Sequence, residues 1–151
     1  MYLMKKNTEY ALKALYSLYY SAPQLKTLNH IAIEMKIPKY LLRRLMQVLG
    51  RAQIVQATNG VNGGYALLKK FNKITLYELI ILLQGEISIN KCFMNNQCES
   101  KTVCPIKKKL SYIQNQLIET LSSVTVIELA KLFKPGVKKN NVFKSKGACH
   151  E

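Results

Sequence analysis

The chain contains no aspartate, and its acidic side chains are eight glutamates against 23 lysines and arginines, a net charge of +15. Histidine is scarce, with two residues. No His–Asp or Ser–His constellation, no paired acids and no phosphate-cradling glycine loop ahead of a helix can be assembled from this inventory, which argues against an enzyme. Long apolar runs are also missing. No stretch approaches the roughly 18 consecutive apolar residues of a membrane span. The opening Met1-Tyr2-Leu3-Met4-Lys5-Lys6 lacks the apolar core and cleavage site of a secretory signal, so the chain reads as cytoplasmic. Thiols stay reduced in that compartment, and a cysteine cluster there points to metal more often than to disulfides.

What is present suits one folded domain with an appended arm: 151 residues, 48% of them apolar. The positive excess favours approach to polyanions and salt-dependent binding to nucleic acid. A lysine-rich coding bias would produce the same excess, so the placement of the charges matters more than their sum.

Residues 8–20 read as an amphipathic helix, with Ala11, Leu15 and Leu18 inward and Leu12, Tyr16 and Tyr19 widening the face. Pro23 ends it. Asn29 is the expected cap of a short helix from His30 to Met35. Lys36-Ile37 forms a turn, and Pro38 suits the first turn of a third helix reaching about Arg51. On this helix Leu41, Leu42, Leu45, Val48 and Leu49 face inward, whereas Lys39, Tyr40, Arg43, Arg44 and Gln47 face out. Two helices joined by a tight turn, the second with arginines outward, form the helix-turn-helix pattern. Ile54–Ala57 and Tyr65–Leu68 then read as strands around Thr58-Asn59-Gly60-Val61-Asn62-Gly63-Gly64, a turn rich in residues that accept positive φ. A hairpin in this place is a wing. The expected fold is mainly α: a winged helix-turn-helix with a small β-hairpin wing and a long dimerisation helix.

Thr75-Leu76-Tyr77-Glu78 is a capping box opening a helix to about Gln84, which Gly85 stops. A loop over 86–104 follows, carrying Cys92, Cys98 and Cys104 at even C-x5-C-x5-C spacing. Three thiolates on a short polar loop can converge on one object, as an iron–sulfur cluster requires. The spacing is not the two-residue spacing of zinc ribbons, although zinc stays open. Pro105 starts a long helix whose Ile106, Leu110, Ile113, Leu117 and Leu121 make a narrow stripe, closer to a coiled-coil seam than to a broad core face. Thr125-Val126-Ile127-Glu128 is a second capping box, for a helix ending near Phe133. Lysine, asparagine, proline and glycine then dominate a basic tail read as disordered. The organisation read from this is a winged-helix DNA-binding domain over 1–84, a cluster-binding loop over 85–104, a dimerisation helix and C-terminal helix over 105–133, and the tail over 134–151.

These segments resemble the Rrf2 family of winged-helix regulators. The likeness covers residue 1 to about 133 and rests on NTEYALKAL, IPKYLLRRLMQVLGRAQIV, GVNGGYALLKKFNKITLYELI, CFMNNQCESKTVCPIKKKL and TVIELAKLF. It implies a homodimer joined by the long helix on a palindromic operator in double-stranded DNA. It further implies that Cys92, Cys98 and Cys104 ligate a 2Fe–2S or 4Fe–4S cluster whose state alters DNA affinity. IscR-like members carry His three residues after the third Cys, where this chain has Lys107, a poor iron ligand. NsrR-like members place a carboxylate in the first helix, reaching across from the second protomer, and the matching residue is Glu9. A first-turn Glu that favours its own helix dipole reads equally well there. His30 reads as a surface or interface residue, and Cys149 and His150 as parts of a terminus.

For DNA, Arg43 and Arg44 suit guanine O6 and N7, Gln47 suits adenine, and Lys39 and Tyr40 suit phosphate or a base edge. Asn59 and Asn62 suit the minor groove or the sugar-phosphate, with Gly60, Gly63 and Gly64 permitting close backbone approach. Lys69, Lys70 and Lys73 are candidate phosphate neutralisers. The leading expectation is a cluster-sensing regulator, a repressor by preference, that answers iron–sulfur status, redox stress or nitric oxide. The alternatives are a winged-helix regulator whose thiols bind zinc or sense oxidants directly, and a small iron–sulfur redox protein.

Overall fold

A computed structural model describes residues 3–89 and 105–132. Cys92, Cys98, Cys104, Phe133, Cys149, His150 and the tail lie outside the described residues. Among the described residues, six α-helices, a 3-10 turn and one hairpin run in the order α1 (Lys6–Ser21), α2 (Leu28–Met35), α3 (Lys39–Arg51), β1 (Val55–Thr58), β2 (Gly64–Leu67), the 3-10 turn Lys69–Asn72, α4 (Leu76–Gln84), α5 (Pro105–Ser123) and α6 (Val126–Leu132).

Helix α1 is the axis of the fold and packs against α2, α3, α4, α6 and β2. Its buried face holds Ala11, Leu15 and Leu18 as the periodicity predicts, and adds Ala14, whose small side chain suits close helix packing. Around it, Ile31, Leu42, Met46, Leu49, Ile54, Phe71 and Leu79 complete one core, each side chain fully buried and stabilising by roughly 1.5–3 kcal/mol on transfer. On α3 the inward face is centred on Leu42, Leu45, Met46 and Leu49, while Leu41 and Val48 are only half-buried.

The start of α2 differs from expectation. Thr27, not Asn29, is the cap: its hydroxyl accepts the His30 N–H at 3.3 Å, and the helix begins at Leu28. The cause is non-local. Lys26 is drawn into an antiparallel bridge with Tyr65 of the hairpin, so the chain leaves it extended and the cap falls on the next residue. Pro38 likewise occupies the cap of α3 rather than its first turn, and its carbonyl accepts the Leu42 N–H at 3.0 Å. Between α2 and α3, Lys36 takes the left-handed conformation, φ 53°, that closes the helix-turn-helix.

β1 and β2 pair antiparallel with Val55 opposite Leu67 and Thr58 opposite Gly64. Both capping boxes form. Glu78 accepts the Thr75 N–H at 2.8 Å, and Glu128 accepts the Thr125 N–H at 2.9 Å. The two boxes lie side by side, because Leu76 N–H donates to Val124 O (2.8 Å) and Val126 N–H donates to Ile74 O (3.0 Å). Among the described residues, no helix is long and apolar enough to cross a membrane.

Candidate DNA interface and the flanks of the cysteine segment

Lys39, Tyr40, Arg43, Arg44 and Gln47 all lie exposed on α3. Tyr40, Arg43, Arg44 and Gln47 are spaced at i, i+3, i+4 and i+7, one face of a 3.6-residue helix. Tyr40 is 74% exposed although aromatic. Among the described residues, no ion pair or side-chain hydrogen bond holds Arg43, Arg44 or Gln47, so their donors are available to a ligand.

The hairpin that follows α3 exposes Asn59, Gly60, Val61 and Asn62 at its tip. Gly60 requires its glycine, with φ at +119°. Gly63 and Gly64 have a reason internal to the fold. A Cβ at Gly63 would meet the Thr58 and Gly60 carbonyl oxygens, and one at Gly64 would come within 2.9 Å of the Lys26 backbone. Lys69 and Lys73 are exposed, whereas Lys70 donates to Ala52 O at 3.0 Å and so caps the end of α3.

The described chain ahead of the cysteines is held by two glutamines that the sequence reading did not single out. Gln84, the last residue of α4, accepts from Lys5 N–H and the Thr8 hydroxyl, both at 2.9 Å, and donates to Leu3 O at 2.7 Å. It therefore fixes the start of α1. Gln114 of α5 is 8% exposed; it accepts from Ile89 N–H at 2.9 Å and donates to Ile87 O at 2.6 Å. Both bonds run to the backbone just ahead of the cysteines. A glutamine on an amphipathic helix ordinarily signals a solvated face, so nothing local distinguished these two.

Glu9 is half-exposed, and its two oxygens take Lys6 at 3.0 Å and Lys13 at 3.1 Å. The hydrogen bonds from Lys6 and then Lys13 hold its carboxyl below the usual carboxylate range. Glu9 and Lys13 are the charged lining of an otherwise apolar groove of about 490 Å³ between α1 and α6. On α5 the seam divides. Leu121 is buried within the chain, Leu110 and Leu117 are half-buried, and Ile106 and Ile113 stay 68% and 51% exposed. Lys107 and His30 are exposed, and no group of three candidate metal ligands occurs among the described residues.

The model of the Rrf2 family, described as iron-dependent transcriptional regulators, matches residues 4–132. A putative rrf2-like helix-turn-helix regulator of Rhodobacter capsulatus is 27% identical over 146 residues, covering 90% of this chain and 97% of that one. The regulator NsrR of Oceanobacillus iheyensis is 28% identical over 131 residues, covering 85% and 89%. Among solved structures, CymR, the global cysteine regulator of B. subtilis, superposes with a TM-score of 0.73 at 26% identity, over 89% of this chain and all of that one.

Proposed function

The chain belongs to the Rrf2 family of transcriptional regulators, and from that premise we propose that it binds a palindromic operator as a homodimer and tunes its affinity through an iron–sulfur cluster on Cys92, Cys98 and Cys104. The observation that carries the DNA half is the unpaired Arg43–Arg44–Gln47 face of α3 in a chain whose hairpin tip is also exposed. Arg43 and Arg44 read guanine in the major groove, Gln47 reads adenine, and Lys39 and Tyr40 take phosphate or a base edge. Asn59 and Asn62 reach the minor groove from the wing, with Gly60, Gly63 and Gly64 keeping the turn slim. Ile106 and Ile113, the uncovered part of the α5 seam, are the first contacts of the dimer, with Leu110 and Leu117 beside them.

The donor set suits the cluster. Three thiolates and a carboxylate held ionised match what iron requires of its ligands. Glu9 of the second protomer is the fourth donor in this reading. Its two lysine partners form surface ion pairs that solvent screens, so giving one up costs little. When bound, a cluster with one hard carboxylate ligand supplies a centre that oxygen or nitric oxide displaces readily. The residues of the chain carry that state outward. Gln114 holds the stretch before Cys92 to α5, and Gln84 holds the end of α4 to the first turn of α1.

A second reading keeps the DNA-binding role and dispenses with the cluster, the thiols binding zinc or reacting with oxidants directly. Lys107 in place of a histidine ligand favours it, as does the likeness to the B. subtilis cysteine regulator. An absorption spectrum with iron and sulfide analysis on oxygen-free protein separates the two. Visible charge-transfer bands with matched iron and sulfide support the cluster, and Glu9→Ala then tests the fourth ligand. Protein that stays colourless after reconstitution selects the second reading.

A further inference from the structure

Lys26 lies between α1 and α2 and is one of three lysines ion-paired among the described residues. Its backbone pairs with the wing: Lys26 N–H donates to Tyr65 O at 3.1 Å and Tyr65 N–H donates to Lys26 O at 2.9 Å. Gly64 makes this approach possible, since any Cβ there would sit 2.9 Å from the Lys26 carbonyl. The Lys26 side chain, 20% exposed, turns the other way and donates to Glu34 Oε2 on α2 at 2.5 Å. The same oxygen accepts the hydroxyl of Ser17, a residue of α1 that is 1% exposed, also at 2.5 Å. Lys26 thus joins β2 to the first helix of the helix-turn-helix, and Glu34 carries the network on to α1. A two-stranded hairpin is marginal by itself, and the Lys26 bridge is what extends it toward a third strand.

We propose that Lys26 is a positioning residue for DNA recognition, setting the wing against the recognition helix through Tyr65 and Glu34 without itself touching phosphate. Its charge is spent on a glutamate and its stem is covered. Breaking either arm lets the wing shift relative to α3, and two-point docking on DNA then loses one point.

The test uses the duplex that the wild-type chain enriches from a randomised DNA pool. Lys26→Met, Glu34→Ala and the double variant are compared for affinity, hydroxyl-radical footprint and amide exchange. If Lys26 positions the wing, each single variant weakens binding by roughly tenfold and the double is no worse, as expected for one coupled network. Wing-side protection on the DNA fades while protection by α3 persists. The Tyr65 amide exchanges faster while the Leu68 amide, bonded to Ile54 O at 2.9 Å, holds. A phosphate contact predicts the opposite sign for Glu34→Ala, which frees the lysine charge and tightens binding. Wild-type affinity in all three variants also overturns the proposal. Should Lys26→Met not fold, Glu34→Ala decides alone, because the two accounts give it opposite signs. Failure of any sequence to be enriched would count against sequence-specific binding itself, a distinct outcome.

Discussion

Replacing Gln84 by alanine removes three hydrogen bonds at once, two from the chain just ahead of α1 and one from its first turn. Two of them, to Lys5 N–H and from Gln84 to Leu3 O, lie at an exposed edge where water takes over, and each contributes only about 0.5 kcal/mol. The third is different. Thr8 is 0% exposed, and stripping its hydroxyl of an acceptor costs ~1–2 kcal/mol because no water reaches it. The loss comes to about 2–3 kcal/mol, or a fall in Tm of roughly 5–10 °C for a chain of this size. Denaturant unfolding at fixed protein concentration measures it, and Thr8→Val supplies the control. With the buried hydroxyl gone, Gln84→Ala should cost only ~1 kcal/mol, since the two exposed bonds alone remain to be lost. An equal cost of Gln84→Ala in both backgrounds, or a cost under about 0.5 kcal/mol, would refute the assignment of Gln84 as the anchor of α1.

Arg43→Ala should lower affinity for the selected duplex by ~1–3 kcal/mol and relax one base position, whereas equal weakening on all sequences would make Arg43 a phosphate contact. Gly64→Ala should disturb the wing more than a surface change does, because its Cβ meets the Lys26 backbone rather than a movable side chain; backbone shifts read by NMR should centre on residues 25–27 and 63–66. Burial pushes the Glu34 carboxyl upward, but hydrogen bonds from Lys26 and Ser17 outweigh it and hold the group below its ordinary range. A carboxyl depressed on folding stabilises above its unfolded value, about pH 4.5, and loses that contribution as pH falls toward the folded one. Glu34→Gln should therefore flatten the acid limb of the stability curve below that pH, and an unchanged limb would show that the ion pair carries none of it.

Much of the fold was legible because its signals are local. Both capping boxes, the stop at Gly85, the α1 and α3 faces and the hairpin turn each depend on residues a few positions apart. The cap of α2 was misplaced because Tyr65, nearly 40 residues onward, decides where Lys26 stays extended. Lys26, Gln84 and Gln114 were missed for the same kind of reason. Each is a polar residue of a type usually solvated, and only tertiary contact assigns it a partner. The exposed face of α3, on which the proposed DNA contacts lie, was readable because an outward helix face is a matter of periodicity alone. The cysteine pattern is visible in the sequence, and the ligand role proposed for it rests on thiolate chemistry and the family, since those residues lie outside the described ones.

The paired caps at Thr75 and Thr125 have an architectural consequence. The chain departs from one point and returns to it 50 residues later, with Leu76 N–H on Val124 O and Val126 N–H on Ile74 O fastening the crossing. Of what lies between, α4 belongs to the core through Leu79 and Gln84 ties it to α1, and the fastening does not meter the length of the arm that follows. Doubling a closed segment costs only about 0.6 kcal/mol of chain entropy, so evolution can lengthen, shorten or exchange this arm while the reading head keeps its shape. A chain built this way can adopt a new input without redesigning its output.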